Sequence, residues 1–273
     1  MNKFDYVRPT TLAATLDLLR ASDEPMLLAG GQTLLPTMKQ GLAAPELLID
    51  LNAVSELVEL SVTGDGIRVG AMCRHATVAT SGAVRDKIPG LAELAGMIGD
   101  VQVRNRGTIG GSVANNDPAA DYPAALLALD ATIRTDSRDI SADEFFVDLF
   151  ETALEPGEMI REVVFPSCRS CGYLKFRQPA SRFAIVGVFV ARHRQGVRVA
   201  VTGAGSAGVF RWTEAEAALD GNFAQQALTG LALDPQQMLS DIHAGDTYRA
   251  HLVQVLTGRL VEALGARSLR VRT

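Results

Sequence analysis

Aromatic side chains are scarce in these 273 residues, at 5%, with a single tryptophan. That scarcity disfavours a stacking platform for nucleic-acid bases. Charge of one sign is also lacking. The 26 Lys and Arg stand against 31 Asp and Glu, a formal net charge of −5, which excludes the broad basic footprint of a nucleic-acid binder. No apolar run approaches the roughly 18–20 residues of a membrane-spanning helix, so no transmembrane segment is expected. The opening residues through Pro9 contain no apolar h-region, which predicts no secretion signal and a cytoplasmic location. Cysteine is rare. Cys73, Cys168 and Cys171 make no disulfide framework, as suits a reducing compartment.

Cys168 and Cys171 form a lone C-x-x-C. It reads either as half of a zinc or redox site or as two thiols in a loop after Pro166. A structural zinc wants four ligands and an iron–sulfur cluster about four thiolates. Cys73 is the one further cysteine, and His75, His193, His243 and His251 include no i, i+4 pair. The chain is therefore expected to carry no metal of its own.

What is present is globular. Hydrophobic residues make up 47% and charged residues 21%. The length suits one or two domains. Leu12, Leu16 and Leu19 share a helical face after the candidate caps Thr10 and Thr11. A strand over Met26–Ala29, a glycine turn, a helix over about 34–40 and a strand over Leu47–Asp50 follow. Residues 58–62 and 67–70 flank the turn signal Thr63-Gly64-Asp65-Gly66 as a hairpin. Helical stretches are expected at about 77–81 and 91–98, then a polar, glycine-containing segment from Gly99 to Asn116. Asp117-Pro118 reads as a cap and first-turn proline opening a helix through Leu129. Strands are expected at 131–135 and 159–165. A boundary falls at 167–172. Beyond it lie strands at 173–177, 184–192 and 197–201, with a turn at Gln195-Gly196. Helices at 214–219, near 236–239 and at 248–264 close an α+β chain in two parts.

Two glycine pairs are the candidate binding elements. Ala29-Gly30-Gly31-Gln32-Thr33 lies between a strand and a helix. Paired glycines admit close backbone approach, and the following helix offers N–H groups and a positive dipole end to a pyrophosphate. Alone, the pair is equally a turn. The second pair lies in Thr108-Ile109-Gly110-Gly111-Ser112, with Asn115 and Asp121 as further hydrogen-bonding groups. Asp117 reads as a cap. Gly203-Ala204-Gly205-Ser206-Ala207-Gly208 matches G-x-G-x-x-G, but Val209-Phe210-Arg211-Trp212 intervene between the third glycine and the next helix, and the strands before it look antiparallel. A dinucleotide fold is therefore not expected there.

Together the loop Ala29 to Pro36, the loop Gln102 to Ser112 and the run Asp117-Pro118-Ala119-Ala120-Asp121-Tyr122-Pro123 resemble the FAD-binding subunit of molybdenum hydroxylases, the xanthine dehydrogenase and aerobic carbon monoxide dehydrogenase family. The resemblance implies an FAD-binding domain of the vanillyl-alcohol-oxidase type over 1–170, with subdomains of about 1–55 and 56–170. A small α+β domain with an antiparallel sheet would follow over 171–273. It implies non-covalent FAD held by Ala29, Gly30, Gly31, Gln32 and Thr33 in the first loop. Thr108, Ile109, Gly110, Gly111 and Ser112 would form the second, with Asn115 and Asp121 beside the ribityl and phosphate region. Ile160, Arg177 and Phe183 match positions near the cofactor. Their alternatives are strand core for Ile160 and Phe183 and a surface cation for Arg177. Gln32 stands where many relatives have histidine, which leaves the loop a backbone role.

The function implied is electron transfer: iron–sulfur clusters of a small partner subunit deliver electrons through FAD to an external acceptor. The resemblance further implies a large partner subunit that would carry the molybdenum cofactor, and an assembly that would be a dimer of heterotrimers. No catalytic residue is expected in this chain. The rival is a stand-alone FAD oxidoreductase acting on a small organic substrate.

Overall fold

The computed structural model describes residues 3–64 and 66–270; Met1, Asn2, Asp65 of the expected hairpin turn and residues 271–273 lie outside it. The chain begins with a three-stranded parallel sheet in the order β1-β3-β2, from β1 (Asp5–Val7), β2 (Pro25–Leu28) and β3 (Leu47–Asp50). Helix α1 (Leu12–Ala21) joins the first two strands. Its cap is Thr11, whose hydroxyl accepts from the Ala14 N–H at 3.2 Å. Leu12, Leu16 and Leu19 pack on a small core built on Ile49, Leu51, Val54 and Leu57. The glycine pair then leads into α2 (Leu34–Lys39), so the unit read from the sequence is a β-turn-α-β unit.

An antiparallel hairpin, β4 (Leu60–Thr63) and β5 (Gly66–Gly70), opens the second unit. Helices α3 (His75–Thr80), α4 (Gly82–Lys87), α5 (Pro89–Met97), α6 (Val101–Arg106), α7 (Ile109–Asn115) and α8 (Tyr122–Ala128) follow. Strands β6 (Thr132–Thr135) and β7 (Asp139–Ser141), helix α9 (Ala142–Phe145) and the short pair β8 (Phe146–Asp148) and β9 (Glu151–Thr152) lead to β10 (Ile160–Pro166). The sheet order is β4-β5-β10-β6-β7.

Two expectations fail here. The polar segment 99–116 is two short helices. Asp100 caps α6 through the Val103 N–H at 2.8 Å, and Thr108 caps α7 through the Gly111 N–H at 3.2 Å. Asp117-Pro118 does not start a helix. The Asp117 carboxylate accepts from the Ala119 N–H and its carbonyl from the Ala120 N–H, which closes a local turn. The helix starts at Tyr122 instead, with Pro123 in its first turn.

The last sheet is antiparallel in sequential order: β11 (Ser170–Arg177), β12 (Ala184–Arg192), β13 (Val197–Gly205) and β14 (Gly208–Arg211). Helix α10 (Thr213–Gly221) and the 25-residue α11 (Asp246–Arg270) finish the chain. Both faces of this sheet are covered. Val186, Val188 and Val190 of β12 join the core under α11, while Phe189 and Ala191 join the core around α5 and α8. That double burial is why β12 reads as an unbroken apolar run rather than an alternation. The G-x-G-x-x-G stretch is the end of β13 and its hairpin into β14, with Gly205 paired to Gly208. As expected from the sequence, residues 209–212 separate the third glycine from the next helix, here as strand β14 and Trp212.

Candidate functional site

The first glycine loop hangs between β2 and α2, and the side chains beneath it fix its direction. Asp50, at the end of β3, accepts from the Asn52 backbone N–H, from the Asn52 side-chain amide and from the Tyr6 hydroxyl. The same Asn52 amide donates to the Ala29 carbonyl at 3.0 Å. With that carbonyl tied down, the next four backbone N–H groups, Gly30 to Thr33, donate to no acceptor among the described residues. A row of free amide donors at the entrance of a helix is an anion-binding concavity. Gly31 sits at φ +70°, where a side chain is strained.

The second glycine pair behaves differently. Gly110 and Gly111 lie in the first turn of α7, and the N–H groups of this turn are already used. Ile109 donates to the Cys73 carbonyl, Gly110 to the Ala71 carbonyl, Gly111 to the Thr108 hydroxyl and Ser112 to the Thr108 carbonyl. Gly110 is glycine because a Cβ there would lie 2.6 Å from the Ala71 Cβ. The two loops touch. A Cβ on Gly30 would lie 2.2 Å from the Arg106 carbonyl oxygen and 2.7 Å from the Gly107 Cα.

Between them opens a cleft of about 600 Å³, within the usual range for small-molecule and cofactor sites. Every candidate residue except Ile109 and Arg177 lines it. The Ile109 side chain is fully buried in the core behind α7. Arg177 is exposed at the end of β11. Ile160 forms part of the wall. Phe183 lies at the mouth, half exposed, in the β11–β12 turn, where Arg182 at φ +64° donates to the Gly99 carbonyl across the cleft.

Asp121 is tied to the last sheet. Its Oδ1 accepts from the Tyr173 hydroxyl at 2.5 Å and from the Lys175 Nζ at 2.9 Å, and its Oδ2 from the same Nζ at 3.0 Å. Burial pushes its pKa up, while the Lys175 charge and the two hydrogen bonds pull it down. The wall at Met159 and Ile160 is held by Glu158. Arg138 pairs with its carboxylate, and the Thr135 and Ser137 hydroxyls donate to it. These contacts, Arg138 first, hold Glu158 down to about 2. A depressed carboxylate stabilises the fold above its ordinary value of 4.5 and loses that stabilisation as pH falls through about 2. Glu158→Gln is therefore expected to lower stability at pH 7 by about 1–3 kcal/mol. It is also expected to flatten the acid limb of the stability curve between those two values, measured by urea titration at stepped pH.

Two contributors escape the sequence reading. Asn52 orients the first loop from outside it. His75, at the start of α3, lines the cleft, and its buried Nδ1 has no partner among the described residues. Burial, with a smaller contribution from Arg104, pushes its imidazole down to about 4, so it is neutral at pH 7. The position after a lone arginine carries no motif that could have marked it.

A glycine-walled cleft lined by a row of free amide donors has the character of a site for a phosphate-bearing cofactor. A family model for the FAD binding domain in molybdopterin dehydrogenase matches residues 2–168. The chain is 35% identical to the nicotine 6-hydroxylase medium subunit of Paenarthrobacter nicotinovorans, over 96% of this chain and 98% of that one. Its fold superposes on a chain of the carbon monoxide dehydrogenase from Hydrogenophaga pseudoflava with a TM-score of 0.89. Identity there is 31%, and 97% of this chain and 98% of that one are covered. Quinoline 2-oxidoreductase from Pseudomonas putida 86 gives a TM-score of 0.86 at 28% identity, with 96% and 97% covered. The chain thus belongs to the FAD-binding family of molybdopterin dehydrogenases, as an FAD-binding subunit of the molybdenum-hydroxylase type. Among the described residues no helix is long and apolar enough to cross a membrane, and no cluster of His, Cys, Asp and Glu could hold a metal ion.

Proposed function

We propose that this chain is the electron-transfer subunit of a molybdenum hydroxylase complex, carrying electrons from iron–sulfur clusters of a small partner subunit through non-covalent FAD to an external acceptor. A large partner subunit would carry the molybdenum cofactor, in a dimer of heterotrimers. The observation that carries this reading is the row of unpartnered N–H groups from Gly30 to Thr33, open to the cleft. The family match and the full-length likeness to subunits named medium support it. In this reading Gly30, Gly31, Gln32 and Thr33 hold the pyrophosphate by their backbone. Ala29, Gly110 and Gly111 form the close walls. Thr108 holds the second loop as the cap of α7 rather than through its side chain on the ligand. Ser112 and Asn115, whose side chains bond no other group among the described residues, are free to bond the ribityl or ribose hydroxyls. Asp121 keeps its remaining accepting capacity on the cleft side. Ile160 and Phe183 cover apolar ring surface, and Arg177 contributes only charge from outside. We assign cofactor binding to residues 1–170 and a supporting role to 171–273, whose β11 supplies Tyr173 and Lys175.

FAD supplies the exchange of one or two electrons at a time; the chain supplies binding, orientation and exclusion of water. Acid precipitation is expected to release all the yellow colour as FAD, at one per chain. Colour in the pellet, or FMN in the supernatant, contradicts that. The FAD-loaded chain alone is expected to turn over no organic substrate, whereas the chain with its co-purified partners reduces a dye in the presence of substrate. Robust turnover by the chain alone would promote the stand-alone oxidoreductase.

A further inference from the structure

One carboxylate in the cleft has no part in the cofactor reading above. Asp117 lines the cleft, as do Asn115 and Asp121. Its Oδ1 accepts from the Ala119 N–H at 2.8 Å. Its Oδ2 takes no donor among the described residues, and it is not one of the buried side-chain atoms sealed away without a partner. Burial pushes the Asp117 carboxyl above its ordinary value, and the Ala119 N–H pulls it back. A half-buried carboxylate with one oxygen unused and still reachable is costly to keep unless a donor meets that oxygen.

The turn that carries Asp117 is fixed from behind by β13. The Gly203 N–H donates to the Pro118 carbonyl at 2.8 Å. The fully buried Thr202 hydroxyl lies 2.7 Å from the Ala120 carbonyl oxygen and 3.1 Å from that of Pro118, donating across the pair. Neither Thr202 nor Gly203 lines the cleft. The Ala120 N–H closes the turn on the Asp117 carbonyl. Before the turn, the Asn116 amide donates to the Asp148 and Glu151 carbonyls; after it, Asp121 is held by Tyr173 and Lys175. The backbone on both sides of Asp117 is therefore anchored away from the cleft, while its second oxygen is left free. Gly203 is the first glycine of the G-x-G-x-x-G stretch. That stretch forms no dinucleotide loop, yet its first glycine backs the wall of the cofactor cleft.

We propose, resting on the FAD reading above, that Asp117 is a cofactor-binding residue whose free carboxylate oxygen accepts from a sugar hydroxyl of FAD, and that Thr202 positions it. A carboxylate only accepts, whereas the hydroxyl of Ser112 and the amide of Asn115 both donate and accept. The hydroxyls of a ribityl chain or a ribose satisfy all three residues. Phosphate oxygens satisfy the first two and are repelled by the charge of the third. The pyrophosphate therefore falls to the free N–H groups of the first loop, and a sugar to the turn after α7.

The test titrates the full chain, freed of flavin, with FAD and with FAD analogues that each lack one hydroxyl of the ribityl chain or of the adenosine ribose. Affinity is read by equilibrium dialysis. For the native chain one such analogue is expected to bind about 10- to 150-fold more weakly than FAD, the range for a hydrogen bond to a charged group. The position of its missing hydroxyl identifies which sugar Asp117 meets. Asp117→Ala is expected to weaken FAD by a similar factor and to bind that analogue as well as it binds FAD. Asp117→Asn, which keeps a neutral acceptor, is expected to fall between the two. A merely structural role for Asp117 would weaken FAD and every analogue alike and keep their ranking, which would overturn the proposal. Native affinity for FAD in Asp117→Ala would overturn it as well. Thr202→Val is expected to weaken FAD and to shrink the penalty for the missing hydroxyl, and Thr202→Ser to restore both. An unchanged penalty in Thr202→Val would deny Thr202 its positioning role. A native chain that binds no FAD would overturn the cofactor reading and this assignment together, whereas a native chain that binds FAD with Asp117 indifferent overturns this assignment alone.

Discussion

The Gly30→Val chain is expected to purify folded and colourless. Gly30 is buried against the backbone of the second loop. A Cβ there would stand 2.2 Å from the Arg106 carbonyl oxygen and 2.8 Å from its carbonyl carbon. Backbone cannot swing aside as the end of a side chain can, so the two loops must part. Overpacking of this kind costs about 1–3 kcal/mol of stability, within what a domain of ordinary stability tolerates. The cost to binding is larger. The four free N–H groups from Gly30 to Thr33 converge only while the loop lies on Arg106 and Gly107, and the ligand meets both walls. Flavin content, read as visible absorbance per chain, is expected to fall to background, and FAD added back to bind at least about 100-fold more weakly, some 2.8 kcal/mol. Gly221→Ala, at the end of α10 with nothing within 4 Å of a Cβ, is the silent control. Gly205→Ala does not serve as one, because its Cβ would meet the Gly208 carbonyl oxygen at 2.5 Å and cost hairpin stability. Wild-type flavin content in Gly30→Val would show that the contact between the loops is not what shapes the cleft.

The sequence makes the first loop legible because its signals are local. A short apolar run, two glycines and a helical start are enough to predict β2, the turn and α2. The second loop is harder to read for a physical reason. A glycine demanded by a ligand and a glycine demanded by a neighbouring backbone look the same in one dimension, and Gly110 is of the second kind, packed on Ala71. Helices α4, α6 and α7 have six or seven residues each, too few for periodicity to show. They exist through caps and through long-range bonds such as Ile109 to Cys73 and Gly110 to Ala71. Strands β8 and β9 have three and two residues and are fixed by Asn116, in the left-handed region at φ +41°, whose amide bonds the Asp148 and Glu151 carbonyls. Asn52 and His75 reach the cleft through tertiary folding alone, and no local pattern marks such residues. The continuous apolar run of β12, by contrast, states plainly that this strand is buried on both faces.

Lys175→Met is expected to be the more damaging to stability of the two ends of the Asp121 pair. The Lys175 Nζ lies 2.9 and 3.0 Å from the carboxylate oxygens, and the two side chains are 2% and 4% exposed. Methionine fills similar space but strands the carboxylate among Tyr173 and the apolar α8. Breaking a buried pair from one side costs about 3–5 kcal/mol, because the remaining charge has neither water nor partner. Replacing both ends, as Asp121→Asn with Lys175→Met, removes the stranded charge and keeps an acceptor for the Tyr173 hydroxyl. The double variant is expected to recover most of the loss. The sign of the pH dependence follows from burial. Burial already raises the Asp121 pKa above its ordinary 3.8 in the native chain, and losing the Lys175 charge raises it further. A carboxyl whose folded pKa is raised favours the fold in its protonated form, and that advantage is lost as pH rises through the folded value. The deficit of Lys175→Met relative to the native chain is therefore largest at neutral pH and shrinks as pH falls toward 3.8. Urea unfolding of the flavin-free proteins at pH 7 and pH 5 reads this directly, without the added stability that a bound ligand lends the folded state. A deficit under about 1 kcal/mol at pH 7, the scale of a surface ion pair, would show that Lys175 is not what keeps Asp121 charged. A deficit unchanged between the two pH values would show instead that the loss comes from packing rather than from the stranded carboxylate.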